Sequence, residues 1–101
     1  MYNSEKKSSY LQKLKNKGYS NTYIQNTKEY FKKVSVFETE LHKDVADFTL
    51  NEILCMYSQL NLKVNKIMEL TTRLRAYSYE ETGFIGDYAK ITRAFIKDNF
   101  K

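Results

Sequence analysis

Not one proline interrupts this 101-residue chain, and glycine does so only three times. Those two residues break helices most. Proline removes a donor and clashes with the preceding turn, and glycine carries the largest backbone entropy cost. Helices are therefore open to the chain almost everywhere. No alternation of period two runs long enough to compete as a sheet. The expectation is an all-α fold, a compact four- to five-helix orthogonal bundle. Chains of this size generally build one core. Residues 1–101 are accordingly read as a single domain with its core over 4–82 and an extra C-terminal helix at about 87–99.

Composition then excludes much chemistry. Cys55 is the one cysteine and His42 the one histidine. Neither a disulfide framework nor a cysteine- or histidine-rich metal centre can be built from them. His42 sits in an acidic stretch and is read as a surface residue. Cys55, between Leu54 and Met56, is read as a small buried hydrophobe, because no basic cluster adjoins it to activate its thiol. Gly18, Gly83 and Gly86 are too scattered for a phosphate-cradling loop. Glu80 and Glu81 are neighbours in sequence but diverge on a helix, so they cannot act on one atom. No catalytic constellation, metal, cofactor or small-molecule substrate is expected. No apolar run approaches a membrane span, and the lysine-rich N-terminus has no apolar stretch behind it. The expected location is the cytoplasm.

Charge is distributed in blocks. Residues 1–36 hold eight lysines against two glutamates, residues 37–60 one lysine against five acids, and residues 61–101 eight bases against five acids. Two basic segments thus flank an acidic one, which points to an anionic partner, with nucleic acid the usual intracellular one. A merely solvated basic domain is the plainer alternative.

The helices can be placed by stripes and caps. A first helix over 4–17 starts at a Ser4 cap, turns Tyr10, Leu11 and Leu14 to one side, and stops at Gly18. Ser20 or Asn21 caps a second, whose stripe is Ile24, Thr27, Phe31 and Val34 with Tyr23 and Tyr30 on its shoulder. Residues 35–48 read as irregular, ending in an ordered acidic connector. Thr49 and Glu52 form a capping box for a third helix with Leu50, Ile53, Leu54, Tyr57 and Leu60 inward. After a turn at 58–62, a fourth helix runs from about Val64 to Thr82. It turns Ile67, Leu70, Leu74 and Tyr77 inward, and Asn65, Lys66, Glu69, Thr72 and Arg73 outward. Gly83 ends it. Asp87 caps a fifth, with Tyr88, Ile91, Phe95 and Phe100 inward.

The run from Tyr10 to Thr27, with its Lys17-Gly18 stop, Ser20 cap and Ile24, resembles the opening of the core-binding domain of phage integrases and other tyrosine recombinases. Phe31 supplies the aromatic that ends the second helix in that family. Lys43 to Ile53 is similar to the family's acidic connector and capped third helix, and Lys63 to Tyr77 to its fourth. The likeness spans about residues 8–82. Leu50 stands where the family commonly has proline, and Leu62 to Asn65 where it often has Ser-x-x-Thr. The resemblance implies a SAM-like helical bundle that clamps double-stranded DNA during site-specific recombination, encoded by a phage or prophage. It also implies that the catalytic domain is separate, so no tyrosine here is read as a nucleophile.

The expected DNA surface combines the outward faces of the second and fourth helices with the end of the first. Lys17, Lys28, Lys32, Lys63, Lys66 and Arg73 would neutralise phosphates and release counterions. Ser20, Asn21 and Thr22 sit where helix N-terminal amides point outward, a natural phosphate position. Gln25, Asn26, Asn65 and Thr72 could reach base edges. Lys33 and Arg75 are substitutes if the helix rotation is off by one. Two other readings stand beside this one. A non-catalytic phage regulator or repressor could use the same DNA-binding domain. A helical protein–protein adaptor would instead expose an apolar stripe on the fifth helix, and that helix could also mediate self-association on DNA.

Overall fold

A computed structural model describes residues 1–100. Among them the fold is all-α, with five α-helices and two 3₁₀ turns and no strand. The chain forms two compact units, Met1–Asp44 and Val45 onward.

The first unit is a helical hairpin of α1 (Ser4–Asn16) and α2 (Asn21–Leu41). Its turn closes on backbone bonds: Gly18 N–H donates to Lys15 O at 3.0 Å and Tyr19 N–H to Leu14 O at 3.1 Å. This pattern needs a left-handed residue after the cap, and Gly18 supplies it at φ +91°. The Ser20 hydroxyl then accepts from Tyr23 N–H at 3.1 Å and starts α2. Ser4 does not cap α1. Asn3 precedes the helix in left-handed geometry and makes no side-chain cap bond.

The two helices run antiparallel, since the beginning of one meets the end of the other. Tyr10 meets Phe31 edge-on with ring centroids 5.9 Å apart, and Leu14, Tyr30 and Val34 are buried beside them. Leu11 and Ile24, expected inward, are only half-buried. The larger departure is Lys7, at 0% exposure. Its ammonium donates to Tyr2 O at 2.9 Å, Glu38 Oε2 at 2.7 Å and Asp44 Oδ2 at 3.2 Å. Those bonds occupy all three of its N–H donors. Asn3 Nδ2 donates to the same Asp44 oxygen at 2.9 Å. The cluster also explains a second departure. Residues 35–41 are not irregular but continue α2 to a length of 21 residues. Helical geometry brings Glu38 to the buried side one turn beyond Val34, and that tertiary placement overrides the weak helix propensity of Val36 and Phe37.

In the second unit, Val45–Asp47 is a 3₁₀ turn, the ordered connector expected from sequence, with Val45, Ala46 and Phe48 buried. Next comes α3 (Leu50–Leu60), opened by the expected capping box. Thr49 Oγ1 accepts from Glu52 N–H at 3.3 Å while Glu52 Oε1 accepts from Thr49 N–H at 2.9 Å. Its buried residues are Ile53, Met56 and Tyr57, with Leu50, Leu54 and Leu60 only half-buried. Cys55 is exposed, not buried. The long α4 (Val64–Thr82) has the predicted bounds and buries Ile67, Leu70, Leu74 and Tyr77. Gly83 ends it at φ +81°.

Asp87 has a different job from the one expected. It does not cap a fifth helix, because Gly86–Lys90 is a 3₁₀ turn. Its Oδ2 accepts instead from Leu50 N–H at 2.8 Å, satisfying a free amide in the first turn of α3. The fifth helix, α5, is short (Arg93–Asn99) and capped by Thr92, whose hydroxyl accepts from Phe95 N–H at 3.1 Å. Tyr88, Ile91 and Ile96 are its segment's buried residues, while Phe95 and Phe100 are half-buried. Polar side chains tie this segment down. Tyr88 OH donates to Val45 O at 2.7 Å, and Arg75 donates to Tyr88 O at 3.0 Å and Ile91 O at 2.9 Å.

Two stability predictions follow from these buried polar groups. Lys7→Met leaves Glu38 and Asp44 together without their cation, so the midpoint of urea unfolding should fall by the equivalent of about 3–5 kcal/mol. A midpoint within error of the parent would show that the cluster does not hold the hairpin. Tyr57, hydrogen-bonded to the Thr71 hydroxyl at 2.7 Å, is the other. Burial pushes its phenol above the ordinary range, opposed only in part by the Thr71 bond and the Arg75 charge. Above pH 10 an unfolded tyrosine loses its proton while the folded Tyr57 keeps it. Its contribution is therefore complete below pH 10 and declines above it by about 1.4 kcal/mol per pH unit. Unfolding of the parent and of Tyr57→Phe between pH 9 and 11.5 should show the steeper alkaline loss in the parent alone.

Candidate nucleic-acid interface

Twelve of the thirteen residues expected at DNA are exposed: Lys17, Ser20, Asn21, Thr22, Gln25, Asn26, Lys28, Lys32, Lys63, Asn65, Lys66 and Thr72. Arg73 is the exception, at 8% exposure. Its Nη2 pairs with Glu69 Oε1 at 3.2 Å, an i,i+4 contact along α4. The expected outward rotation of Arg73 is thereby corrected. The stripe of α4 widens toward its middle, with Thr71 buried as well.

On the first unit, the α2 residues sort into two adjacent rows. Asn21, Gln25, Lys28 and Lys32 recur at i, i+4, i+7 and i+11, and Thr22, Asn26 and Lys33 lie about a third of a turn away. Glu29 lies along the second row. It accepts from Gln25 Nε2 at 3.0 Å and pairs with Lys32 Nζ at 3.4 Å. The first turn of α2 contains no acidic residue, so nothing there offsets the positive end of the helix dipole. Ser20 is committed to its cap bond, which leaves the early amides of α2 pointing out beyond it.

On the second unit, Lys63 occupies the position before α4 and Asn65 and Lys66 its first turn, again with no acid among them. Asn65 and Thr72 share a row at i and i+7. Lys66 Nζ lies 3.4 Å from Glu69 Oε2, so Glu69 holds Lys66 and Arg73 together. Arg75 is not a free substitute either. It is half-buried and tied to two carbonyls of the segment before α5.

Among the described residues, no group of three or more His, Cys, Asp or Glu side chains could hold a metal ion. Among those residues, no helix is long and apolar enough to cross a membrane. What each exposed row offers is cations with short polar side chains, chemistry suited to a polyanion. The sequence model of a family described as "MrpR, N-terminal core-binding domain" matches residues 1–79, which includes α1, α2, α3 and most of α4. The chain belongs to that family. Its core-binding domain is a recombinase-like, DNA-binding module, and residues 1–79 contain every residue assigned above to the DNA surface. No curated protein and no solved structure matches the chain.

One residue of interest escaped the sequence reading. Arg93 lies beside Arg75 on the wall of a small cleft in the second unit. Only the break of the 87–99 segment into a 3₁₀ turn and a separate helix brings it there, and nothing in the spacing signals that break.

Placement divides the arginines from the lysines in effect. Arg73→Ala should lower unfolding stability by about 1–3 kcal/mol, because it removes a mostly buried side chain bonded to a carboxylate. Lys28→Ala, on an exposed row, should stay within about 0.5 kcal/mol of the parent. Equal stability of the two variants in thermal or urea unfolding would contradict the burial of Arg73.

Proposed function

We propose that residues 1–101 act as one DNA-binding module, the clamping core-binding domain of a phage-integrase-like tyrosine recombinase lineage. In this reading the outward rows of α2 and α4, with Lys17 at the end of α1, lie against duplex DNA. The observation that carries it is the family match over residues 1–79. Exposure of twelve of the thirteen assigned residues supports it.

Each contact has a defined task in this reading. Lys17, Lys28, Lys32, Lys63 and Lys66 neutralise phosphates and displace condensed counterions. The first turn of α2, with Ser20, Asn21 and Thr22, receives one phosphate at its outward amides. Gln25, Asn26, Asn65 and Thr72 read base edges, where an amide side chain can pair with adenine on two atoms. Arg73 serves indirectly, by holding Glu69. No sequence specificity is assigned to the lysines, since phosphate contacts fix register without reading bases.

The adaptor reading predicts an exposed apolar stripe on the fifth helix. In α5, Ile96 is turned inward at 2% exposure while Phe95 and Phe100 are half-buried, which favours the DNA reading over an adaptor. A repressor using the same surface would bind DNA by the same contacts and differs only in having no strand-cleaving partner domain.

A duplex titration tests the surface. The triple variant Lys28→Ala, Lys32→Ala, Lys66→Ala should bind more weakly than the parent. Its plot of log affinity against log salt should be shallower by about 0.9 for each phosphate contact removed. An unchanged affinity and slope would reject this surface. A parent chain that does not bind duplex at low salt would reject the DNA reading itself.

A further inference from the structure

The second unit contains a cleft of about 180 Å³ where the end of the 3₁₀ segment and α5 meet α4, walled by Met68, Thr72, Arg75, Ile91, Arg93 and Ile96. It falls below the roughly 300–1,000 Å³ of pockets that enclose whole small molecules. It therefore suits a single chemical group. Two guanidinium groups line it, with the hydroxyls of Thr71 and Thr72, which donate to Ile67 O and Met68 O, and no carboxylate does. Such a wall selects an anion, and the forked donors of arginine match tetrahedral oxyanions better than a point charge would.

Arg75 is pre-set for that task. Its Nε–H and one Nη2–H are fixed on Tyr88 O and Ile91 O at 3.0 and 2.9 Å, which holds the guanidinium plane in place. Three of its five N–H donors remain beyond those two bonds. Arg93 is exposed, and its side chain makes no hydrogen bond or ion pair among the described residues. Thr72 links the cleft to the rest of α4, because it shares an outward row with Asn65. A phosphate seated in the cleft would thus be continuous with the α4 row already assigned to DNA.

We infer that this cleft receives a backbone phosphate of bound duplex DNA, held between Arg93 and the pre-set Arg75 guanidinium. The inference rests on the DNA-binding reading above and extends it to α5, beyond the residues that the family match covers. Arg93 is the variable contact. Arg75 also staples the fold, so its loss would confuse binding with stability.

The test has two arms on the full chain. In the first, ¹⁵N spectra follow the Nε–H signals of Arg75 and Arg93 as inorganic phosphate replaces chloride at constant ionic strength. Both should move saturably; if neither moves, the cleft is not an anion site and the inference fails. In the second, Arg93→Ala and Arg93→Lys are titrated with duplex beside the parent. Arg93→Ala should weaken binding about 3- to 10-fold and lower the salt slope by about 1. Arg93→Lys should recover the slope but only part of the affinity. If the parent binds duplex and Arg93→Ala binds identically, the cleft inference is overturned while the DNA reading stands. If the parent does not bind duplex, the DNA reading falls first. A phosphate shift alone would then mark a site for small anions and overturn the assignment to DNA backbone.

Discussion

An ammonium group without contact to water sets the first unit. Lys7 cannot be buried as a charge unless its partners travel with it, since desolvating an ion costs several kcal/mol and only close acceptors offset that. Those acceptors come from three places in the chain: Tyr2 before α1, Glu38 near the end of α2, and Asp44 after it. One side chain thereby fixes the entry to α1, the register of the hairpin and the exit from α2. Hydrophobic packing of Tyr10 on Phe31 could tolerate a small slide between the helices, but a bonded ion cluster tolerates almost none. The other half of α2, around Asn21 to Lys32, packs its inner face through Thr27, Tyr30 and Phe31 and leaves only its outward rows in solvent.

The second unit uses the same device with weaker charges. Asp87 closes an amide of α3, Tyr88 reaches the Val45 carbonyl, and Arg75 closes the carbonyls of Tyr88 and Ile91. Each bond ties a loop or short turn to another element through a backbone group, and Val45 O and Tyr88 O accept it as a second bond beside those from Phe48 N–H and Ile91 N–H. A segment with so little regular structure as 83–92 is ordered this way because its own core contribution is limited to Tyr88 and Ile91. Three cations that the net charge counts as available, Lys7, Arg73 and Arg75, are thus engaged inside the protein. Glu38 and Asp44 are buried with Lys7 and Arg73, so burial removes two cations and two acids together, and the cations left in solvent are mostly lysines.

Local chemistry was legible where the signal is local. Ser20, the Thr49 and Glu52 box, Gly18 and Gly83 act within three or four residues, and the helix ends they mark lie where the spacing put them. The apolar stripe of α4 was legible for the same reason. Longer-range events were not. Lys7 looks like one more solvated lysine until Glu38 and Asp44 are brought to it across more than thirty residues. Asp87 has the look of a cap for the residues that follow, yet its partner amide is 37 positions back. Between the 3₁₀ turn and α5, Arg75 donates to two carbonyls from more than ten residues away, which no periodicity reveals. The same blindness affects the candidate site. Exposure of the lysines follows from the helical wheel, but the inward turn of Arg73 and the pairing of Arg93 with Arg75 require the packed structure.

The two acids within the proposed surface give it its remaining property. Glu29 engages Gln25 and Lys32, and Glu69 engages Lys66 and Arg73. Exposed pairs at 3.4 Å are worth little in water, so a phosphate can displace them at small cost. For Lys66 the exchange is helped by Arg73. When Lys66 leaves for a phosphate, Glu69 keeps its closer and more buried partner at 3.2 Å and is not left as a bare charge facing the DNA. Lys32 has no such arrangement on α2, where Glu29 would keep only the neutral amide of Gln25. Repulsion between Glu29 and the backbone should therefore fall on that part of the surface. In the proposed complex Lys66 on α4 can therefore exchange Glu69 for a phosphate at little cost, whereas at Lys32 on α2 the uncompensated Glu29 opposes one.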